Sequence, residues 1–592
     1  MPSSCLAHAA QYRDLELTLK AALAAFFMPA TRTYAFGLLF FTLSWLSYDH
    51  YRPWVNFHAE LLAFVGLFCL VGSALHSQRS RLALPRAGAW IALTALAPWL
   101  QYAAGISLFA GDALMSSLYL SGLLGAVFVG YSLNSPGGNQ PGSDQRGGDV
   151  IGIMHCLWIA AMVSAAIGVA QWLNVQAPLA MYAVQSDLGD RAMGNLGQAN
   201  QLATLLLMGV VAYAYVFERG VIGRLTFFAG IAFMSLALIM SQSRAGMLSV
   251  IVLAAFMVWK EKTVNLRVSS KAIALWVTCF FMGTLLLPYL SNALLMAPVR
   301  SLNEAGPVSE RWRMWQQISY AVFQSPWVGY GWTQTPTAHA AGAVAFPGSV
   351  TYTNAHNFVI DMLAWNGLPL GLLLTGAIAY WFITRIRSSV RTEAVYAMAC
   401  LLPVAVHSLL EYPFAYAYFL IACGFMVGIV EAAGLPAKTI TVNRRLAWGV
   451  LALWVAVGSY LTYEYFLIEE DFRVVRFENL RIGVTPQTYE IPNVWMASHM
   501  AAMLKAGRQV AQPNMPNADL ENLRKASERF AYGAVRFRYV QALALNGDLP
   551  EANRQMKIIR GMFGEAYYAA CKEEIRRLEK EKYPQFSGVL AP

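Results

Sequence analysis

His356 and Asn357 form a polar pair at the start of a long apolar stretch, the run 356–384. An imidazole titrates near neutral pH and can accept a proton from a hydroxyl group, so a membrane enzyme could keep its general base here. A structural histidine at a membrane interface is the simpler interpretation of His356 taken alone. The positions of the other polar residues therefore decide between the two interpretations.

A second polar cluster occupies residues 191–201, just before another apolar run. It begins with Arg191 and continues with glycines and several side-chain amides. Small residues and amides allow backbone and side chains to approach a polar ligand closely. A turn followed by a helix cap would explain the glycines but not so many amides, so we predict a ligand contact here.

Arg244 lies in the polar turn 241–246 between two apolar runs. One continuous helix over both runs would be about 52 Å long, too long for a single crossing, so we predict a break at this turn. An arginine at mid-membrane costs about 2.5–3.5 kcal/mol and calls for an anionic partner. The alternative is that Arg244 extends to lipid head groups.

Arg311 and Arg313 lie on a predicted helix that also carries two tryptophans. Residues i and i+2 do not share a helix face, so we expect only one of the two arginines, Arg311, to point at a site. The tryptophans suit a membrane interface or a surface on which a sugar stacks.

His407 and Glu411 stand four residues apart and would share one face of a helix. A neighbouring carboxylate orients an imidazole and raises its basicity, although a purely structural pair explains the spacing equally well. The loop 49–60 also carries histidines and carboxylates. Its spacing matches no helix-based zinc motif, so we expect no metal there.

The elements that must position these residues are membrane helices. Of the 592 residues, 57% are hydrophobic and 13% are charged, whereas soluble proteins carry about 25% charged residues. We predict an all-α polytopic membrane protein with about 13 spans, since thirteen apolar runs can cross a hydrocarbon core of about 30 Å. The runs are 32–48, 60–77, 88–106, 114–133, 150–173, 199–217, 225–241, 246–259, 272–292, 356–384, 394–410, 415–434 and 447–466.

Basic residues between the runs predict the orientation. Nineteen lie in the alternate segments that begin with the N-terminus, and six lie in the others. The N-terminus is therefore predicted to be cytoplasmic, and an odd number of spans places the C-terminal segment outside. These orientation signals account for the net charge of +10, so nucleic acid is not an expected partner.

The chain divides into three predicted parts. Residues 1–133 hold the first four spans and precede a polar linker at 137–143. Residues 150–466 hold the other spans and a long outer loop at 293–355. Residues 467–592 have a soluble composition with amphipathic helical patterns, and the piece 524–563 is like one tetratricopeptide hairpin without a regular repeat around it.

The predicted outer-side clusters consist mainly of arginines, amides and one histidine. This charge type suits an anionic substrate at the outer leaflet, such as a pyrophosphate. A transporter of a lipid-linked anion is the alternative, but it would carry charges at mid-depth and broken helices in two related halves. Loss of His356 would stop transfer by an enzyme and leave the activity of a transporter intact.

His356, Asn357, nine further residues and Gly367 resemble the signature of the O-antigen ligase superfamily. The second glycine, Gly371, stands one residue later than is usual in the lipopolysaccharide ligases. Several segments are similar to the branch of bacterial protein O-oligosaccharyltransferases, which glycosylate pilins: 54–60, 191–201, 241–246, 311–316, 326–331 and 411–413. With the C-terminal helical domain, the resemblance covers nearly the whole chain.

The resemblance implies a GT-C-like glycosyltransferase of the bacterial inner membrane, with its active site and C-terminal domain in the periplasm. Such an enzyme moves an oligosaccharide en bloc from undecaprenyl pyrophosphate to serine or threonine hydroxyls of periplasmic proteins such as pilin. It requires no metal or other cofactor. Its partners are the lipid-linked donor, the protein acceptor and membrane lipids.

The resemblance also implies a role for each candidate residue. His356 would be the general base, and Asn357 and Glu411 would hold its ring. The arginines would bind the pyrophosphate: Arg191, Arg244 and Arg311 or Arg313. Gln198 and Tyr412 would bind the donor or the acceptor.

One base and one leaving group would give an inverting displacement. Transfer to the lipid A core, or polymerisation of lipid-linked repeat units, is the alternative enzymatic function. The outer helical domain favours a protein acceptor, since a ligase that acts on lipid needs no such domain.

Overall fold

The computed structural model describes residues 30–77, 82–134, 148–187, 191–294, 296, 308–433 and 438–589. Within these ranges the chain is mostly α-helical with two short strands, which confirms the predicted all-α class. The strands β1 (Leu82–Pro85) and β2 (Thr439–Val442) pair antiparallel, with Leu82 opposite Val442. The predicted linker 137–143 lies outside the described residues.

The helices of the N-terminal and central chain follow the apolar runs. Their bounds are α1 (Ala30–Ser44), α2 (Phe57–Ser77), α3 (Arg86–Thr94), α4 (Ala97–Ala103), α5 (Ala110–Asn134), α6 (Gly148–Trp172), α7 (Ala199–Glu218), α8 (Arg224–Met240), α9 (Arg244–Val264) and α10 (Ser270–Ala293). Single 3₁₀ turns cover Ala177–Leu179 and Gly194–Leu196.

The later helices include four more apolar runs and the C-terminal segment. They are α11 (Val308–Gln324), α12 (Thr335–Ala343), α13 (Phe358–Ser388), α14 (Thr392–Ser408), α15 (Ala417–Ala433), α16 (Arg444–Leu480), α17 (Ser498–Arg508), α18 (Asn517–Arg529), α19 (Gly533–Leu545) and α20 (Leu549–Glu581). Further 3₁₀ turns cover Pro413–Ala415 and Pro584–Gly588.

Seven helices in the described ranges are long and apolar enough to cross a membrane: α2, α5, α6, α7, α10, α13 and α16. Three shorter apolar helices, α8, α14 and α15, accompany them. The chain is thus a membrane protein, while the count of thirteen spans stays a prediction.

The run 88–106 is not the single helix that we predicted. It forms α3 and α4 with a break between them, and Pro98 lies in the first turn of α4. Proline lacks a backbone N–H and its ring clashes with the preceding turn, so a helix does not continue through this position. At about 1.5 Å per residue, neither short helix could cross a core of about 30 Å.

The predicted break at the turn 241–246 is confirmed. α8 ends at Met240 and α9 begins at Arg244. The Ser243 hydroxyl accepts a hydrogen bond from the Gly246 backbone N–H at 3.0 Å, so Ser243 caps α9.

The described residues form two compact units. The first draws on Met1–Thr94, Tyr119–Glu304 and Tyr380–Tyr460, and the second on Ala95–Leu118, Ala305–Ala379 and Leu461–Pro592. These units cut across the three predicted parts of the chain, whose boundaries stay a prediction.

Close helix packing builds the core of the first unit. A Cβ atom added at Gly130 of α5 would lie 2.1 Å from the Phe425 carbonyl oxygen of α15, and one at Gly428 would lie 2.2 Å from the Val127 oxygen. Glycine at both positions therefore lets the two backbones touch. Trp45, which is completely buried, packs edge-on against Tyr418 with ring centroids 4.9 Å apart.

In the second unit, the C-terminal helices pack on the segment 308–379. The Gly348 N–H donates to the Gly561 carbonyl at 2.7 Å, and a Cβ at Gly561 would lie 2.2 Å from the Ala343 oxygen. The buried Asp112 carboxylate of α5 accepts from Arg529 Nε at 2.9 Å. The C-terminal helices and two other parts of the chain therefore share one packed unit.

Candidate active site

In the first unit, one glutamine shapes the segment that contains Arg191. Gln171 Oε1 accepts from the N–H groups of Met193 at 3.0 Å and Gly194 at 2.8 Å, and its Nε2 donates to the Gly194 oxygen at 3.0 Å. Gly194 has φ +59°, a conformation that suits glycine. The half-buried Arg191 therefore precedes a rigid turn.

The loop 49–60 contributes one contact to the same segment. His50 Nε2 lies 2.7 Å from the Asn195 carbonyl oxygen, and Asn195 Nδ2 donates to the oxygens of Leu46 and Tyr182. The neighbouring His58 and Asp49 side chains are 3.3 Å apart. His50 thus helps to hold the backbone that leads into Gln198.

The amides after this turn join two distant segments of the first unit. Gln198 Nε2 donates to the Tyr412 hydroxyl at 3.4 Å, and Asn200 Nδ2 donates to Glu411 Oε1 at 3.3 Å. Ser243 Oγ donates to Asn200 Oδ1 at 2.7 Å. The structure therefore brings Gln198, Glu411 and Tyr412 into one polar network with the residue that precedes Arg244.

Arg244 is the first residue of α9 and its side chain is exposed. The backbone N–H groups at a helix N-terminus favour anions, and an arginine there adds a full positive charge. The position can hold an anionic group such as a phosphate next to the polar network.

His407 and Glu411 each have a hydrogen-bond partner on α7. The His407 Nδ1 atom lies 2.9 Å from Thr204 Oγ1, and the Glu411 carboxylate accepts from Asn200, one turn earlier in α7. α14 ends at Ser408, so Glu411 lies beyond the helix, where its N–H donates to the His407 oxygen at 2.8 Å. These contacts join the end of α14 to the start of α7.

In the second unit, Asn357 caps α13. Its Oδ1 accepts from the backbone N–H groups of Val359 at 3.0 Å and Ile360 at 3.2 Å. This contact satisfies two donors at the start of the helix. The oxygen of Asn357 therefore has a structural role beside the predicted contact with the His356 ring.

His356 precedes this cap and has a left-handed backbone, with φ +50°. Its half-buried ring packs edge-on against Tyr352, with ring centroids 5.8 Å apart. Left-handed φ is uncommon for residues other than glycine, and such residues concentrate at functional sites.

The structure distinguishes Arg311 from Arg313 within the second unit. Arg313 is exposed, and its Nη1 donates to the Pro347 oxygen at 2.8 Å. Burial and the Glu310 carboxylate raise the pKa of the Tyr352 phenol, and the Arg311 guanidinium lowers it. Arg311 is half-buried and acts electrostatically on Tyr352, the residue that packs against His356, while its role at a site stays a prediction.

The glycine of the motif, Gly367, breaks α13 at φ +71°. The segment 326–331 fills this break: Leu368 N–H donates to the Pro326 oxygen at 2.7 Å, and Tyr330 N–H donates to the Ala364 oxygen at 2.8 Å. A Cβ atom at Gly367 would lie 2.7 Å from the Pro326 oxygen. Gly367 is thus required by backbone geometry.

Sequence reasoning did not assign roles to several residues that shape these groups. Asn200 lies inside the amide-rich cluster and Ser243 lies inside the polar turn, so both clusters contained a signal. Tyr352 and Asp361 flank the His356–Asn357 pair at four and five residues from His356. Tyr352 contacts His356 and Asp361 contacts Ala355 within the same segment, and the bond from Thr335 to Asp361 comes from another segment.

Three protein families match parts of the chain. "Protein glycosylation ligase" matches residues 192–217, "O-Antigen ligase" matches 229–375, and "Virulence factor membrane-bound polymerase, C-terminal" matches 395–576. Gln198 lies in the first match, and Arg244 and His356 lie in the second.

Two relatives from Acinetobacter baylyi extend over most of the chain. The "General O-oligosaccharyltransferase" is 27% identical over 541 residues, which cover 89% of this chain and 91% of the relative. The "ComP-specific O-oligosaccharyltransferase" is 26% identical over 420 residues, which cover 68% of this chain and 73% of the relative. The resemblance seen in the motifs is confirmed: the chain is similar over most of its length to two bacterial proteins named O-oligosaccharyltransferases, and part of it matches the O-antigen ligase family.

Proposed function

We propose that this protein transfers an oligosaccharide en bloc from undecaprenyl pyrophosphate to serine or threonine hydroxyls of periplasmic proteins such as pilin. The observation that carries the proposal is its similarity, over most of its length, to two relatives that are both named O-oligosaccharyltransferases. In this proposal the protein lies in the bacterial inner membrane, and its reaction takes place on the periplasmic side.

In the proposed reaction, His356 is the general base. It accepts the proton of the acceptor hydroxyl while the hydroxyl oxygen forms a bond to the anomeric carbon. The bond from that carbon to the pyrophosphate oxygen breaks, and undecaprenyl pyrophosphate leaves with its negative charge. One displacement inverts the anomeric configuration.

Arginines stabilise the charge that develops on the leaving group. Arg244 stands at a helix N-terminus, Arg191 precedes a rigid turn, and the charge of Arg311 acts on Tyr352. Gln198 and Tyr412, which share a hydrogen bond, bind sugar or acceptor hydroxyls. In this proposal the arginines supply the positive charge for the pyrophosphate without a metal ion.

The test is transfer of a short glycan from undecaprenyl pyrophosphate to a purified pilin-type protein in the presence of a chelator. We expect the wild-type protein to transfer the glycan, and His356→Ala and Arg244→Ala to lower the rate by about 100-fold or more. His76→Ala and Arg224→Ala are the matched controls, since both residues are exposed and lie at other helix ends. Transfer that requires a metal would contradict the proposed mechanism.

A polymerase or ligase that acts on lipid-linked glycans is the second candidate. The matches to "O-Antigen ligase" and to "Virulence factor membrane-bound polymerase, C-terminal" favour it. The same assay separates the two: extension of the lipid-linked glycan without protein modification would reject a protein acceptor. Glycan on the protein, located on serine or threonine by mass spectrometry, would reject the second candidate.

A further inference from the structure

The backbone of Ala355, the residue before His356, is held from both sides. Its N–H donates to Asp361 Oδ1 at 2.9 Å, and its oxygen accepts from Trp315 Nε1 at 2.8 Å. Ala355 has no exposed surface. Because the N–H and the C=O of Ala355 both form hydrogen bonds, the orientation of the backbone that leads into His356 is fixed.

Asp361 lies in the first turn of α13 and is completely buried. Its N–H donates to the Asn357 oxygen at 3.0 Å, which is the first backbone bond after the cap. The Asp361 side chain therefore folds back from the helix to the segment before it. One residue thus ties the start of α13 to the peptide that leads into His356.

A second hydrogen bond orients the Asp361 carboxylate. Thr335 Oγ1 donates to Asp361 Oδ1 at 2.7 Å, and the same hydroxyl accepts from Trp365 Nε1 at 2.7 Å. The Thr335 oxygen accepts the hydrogen bond from the indole N–H. The Thr335 hydroxyl then donates its own proton to Asp361. The chain from Trp365 through Thr335 thus fixes the direction of Oδ1.

The other oxygen, Asp361 Oδ2, is buried and has no hydrogen-bond partner among the residues that the structure describes. A buried polar atom without a partner destabilises a fold, so stability alone gives no reason for a carboxylate here. The contact of the Asp361 carboxylate with the backbone before His356 gives a reason for a carboxylate at this position. His356 keeps a left-handed φ of +50°, which a free chain would rarely adopt.

We propose that Asp361 is a positioning residue, which holds His356 in its left-handed conformation through the Ala355 N–H so that the imidazole faces the acceptor hydroxyl. This inference rests on the proposed function, in which His356 is the general base. Asp361 acts through the backbone and does not touch the reacting atoms.

The test compares Asp361→Leu, which removes the acceptor, with Asp361→Asn, which keeps an oxygen at the same place. We expect kcat of Asp361→Leu to fall at least about tenfold with the KM values for donor and acceptor within about twofold of wild type. Asp361→Asn restores kcat to within about threefold. Thr375→Val is the control, since that hydroxyl lies on the same helix and, within the described part of the chain, donates to the carbonyls of Gly371 and Leu372.

A second readout does not depend on transfer. The rate of modification of His356 by diethylpyrocarbonate, measured by mass spectrometry on the intact purified protein, reports the local position of the ring. We expect it to rise about threefold or more in Asp361→Leu and to stay near wild type in Asp361→Asn, because only the first releases the segment. His58 in the same sample is the internal standard.

Each outcome supports or overturns the inference. Wild-type kcat and His356 labelling in Asp361→Leu would overturn it, as would a change in KM without a change in kcat. If Asp361→Leu does not fold, Trp315→Phe removes the other bond to Ala355, and an unchanged kcat and labelling rate there would overturn it. If the wild-type protein shows no transfer, the proposed function fails, and the labelling of His356 still decides whether Asp361 positions it.

Discussion

At the scale of single residues, the left-handed backbone of His356 is an unusual feature of the candidate site. A left-handed conformation costs about 1–2 kcal/mol per residue for amino acids other than glycine. His356 adopts it at φ +50° between a buried alanine and the asparagine that caps α13. The surrounding contacts stabilise this conformation, as is common where a side chain must point in a defined direction.

The two arginines of α11 provide a prediction at the same scale. Arg311→Ala should lower transfer at least about tenfold, because its charge acts on Tyr352 and, in the proposed function, stabilises the leaving group. Arg313→Ala should stay within about twofold of wild type, since this side chain is exposed and bonds to the Pro347 oxygen. Initial rates with saturating donor test the pair.

The pair also provides its own control, since both variants remove the same charge from the same helix. Equal losses in the two variants would show that α11 contributes only a diffuse positive potential. A larger loss in Arg313→Ala would assign the site contact to the opposite arginine.

At the scale of elements, the broken helix α13 links the motif to the segment 326–331. The break at Gly367 leaves carbonyl groups without helical partners, and the N–H groups of Tyr330 and Gly331 bond to the oxygens of Ala364 and Trp365. Gln101 Nε2 adds a second donor to the Trp365 oxygen at 2.9 Å. Hydrogen bonds from other segments of the second unit therefore satisfy these carbonyl groups at the break.

We expect the same substitution to have different effects on stability at two glycines of α13. Gly367→Ala should destabilise the protein by about 2 kcal/mol or more, because φ is +71° and the new Cβ would meet the Pro326 oxygen at 2.7 Å. Gly376→Ala should be neutral or slightly stabilising, since no atom lies within 4 Å of its Cβ position. Thermal unfolding midpoints of the purified variants test this.

The Gly376→Ala variant is the control, because it carries the same glycine-to-alanine change in the same helix and is purified in the same way. A Gly367→Ala protein as stable as wild type would mean that the break in α13 can close or shift. Transfer by such a protein would then separate the role of the glycine from the chemistry of His356.

At the scale of the whole molecule, buried histidines make the stability of the folded chain depend on pH. His339 of α12 has no exposed surface, and burial together with the Arg536 guanidinium lowers its pKa from 6.5 to about 4. The unfolded chain therefore binds a proton at this residue between these pH values while the folded chain does not.

The sign follows from that difference in bound protons. Stability contributed by neutral His339 is present above pH 6.5 and decreases as the pH falls toward 4, by up to about 1.4 kcal/mol per pH unit. His339→Leu should show a weaker decrease in unfolding midpoint over this range than wild type. An identical pH dependence in the two proteins would show that His339 is protonated or solvated in the folded state.

The division of the chain into two units also belongs to this scale. Residues 95–118 join the C-terminal helices through the Asp112–Arg529 pair, although more than four hundred positions separate them. The sequence patterns predicted helices in both regions, although the run 88–106 forms two short helices and not one. It contains no information about which helix would find which partner, because partner choice depends on packing over the full surface of each helix.

The sequence by itself determined the all-α class, the apolar helices, the break before Arg244 and the family motif, because composition, turn residues and spacing act within a few residues of one another. It could not show that Pro98 would divide the run 88–106, since proline occurs inside α10 and α14 as well. Only the tertiary structure brought Gln198, Glu411 and Tyr412 into one network, joined Thr335 to the Asp361 carboxylate, and joined the Trp315 indole to the Ala355 oxygen. These contacts join segments far apart in the chain, and their geometry depends on how the helices pack.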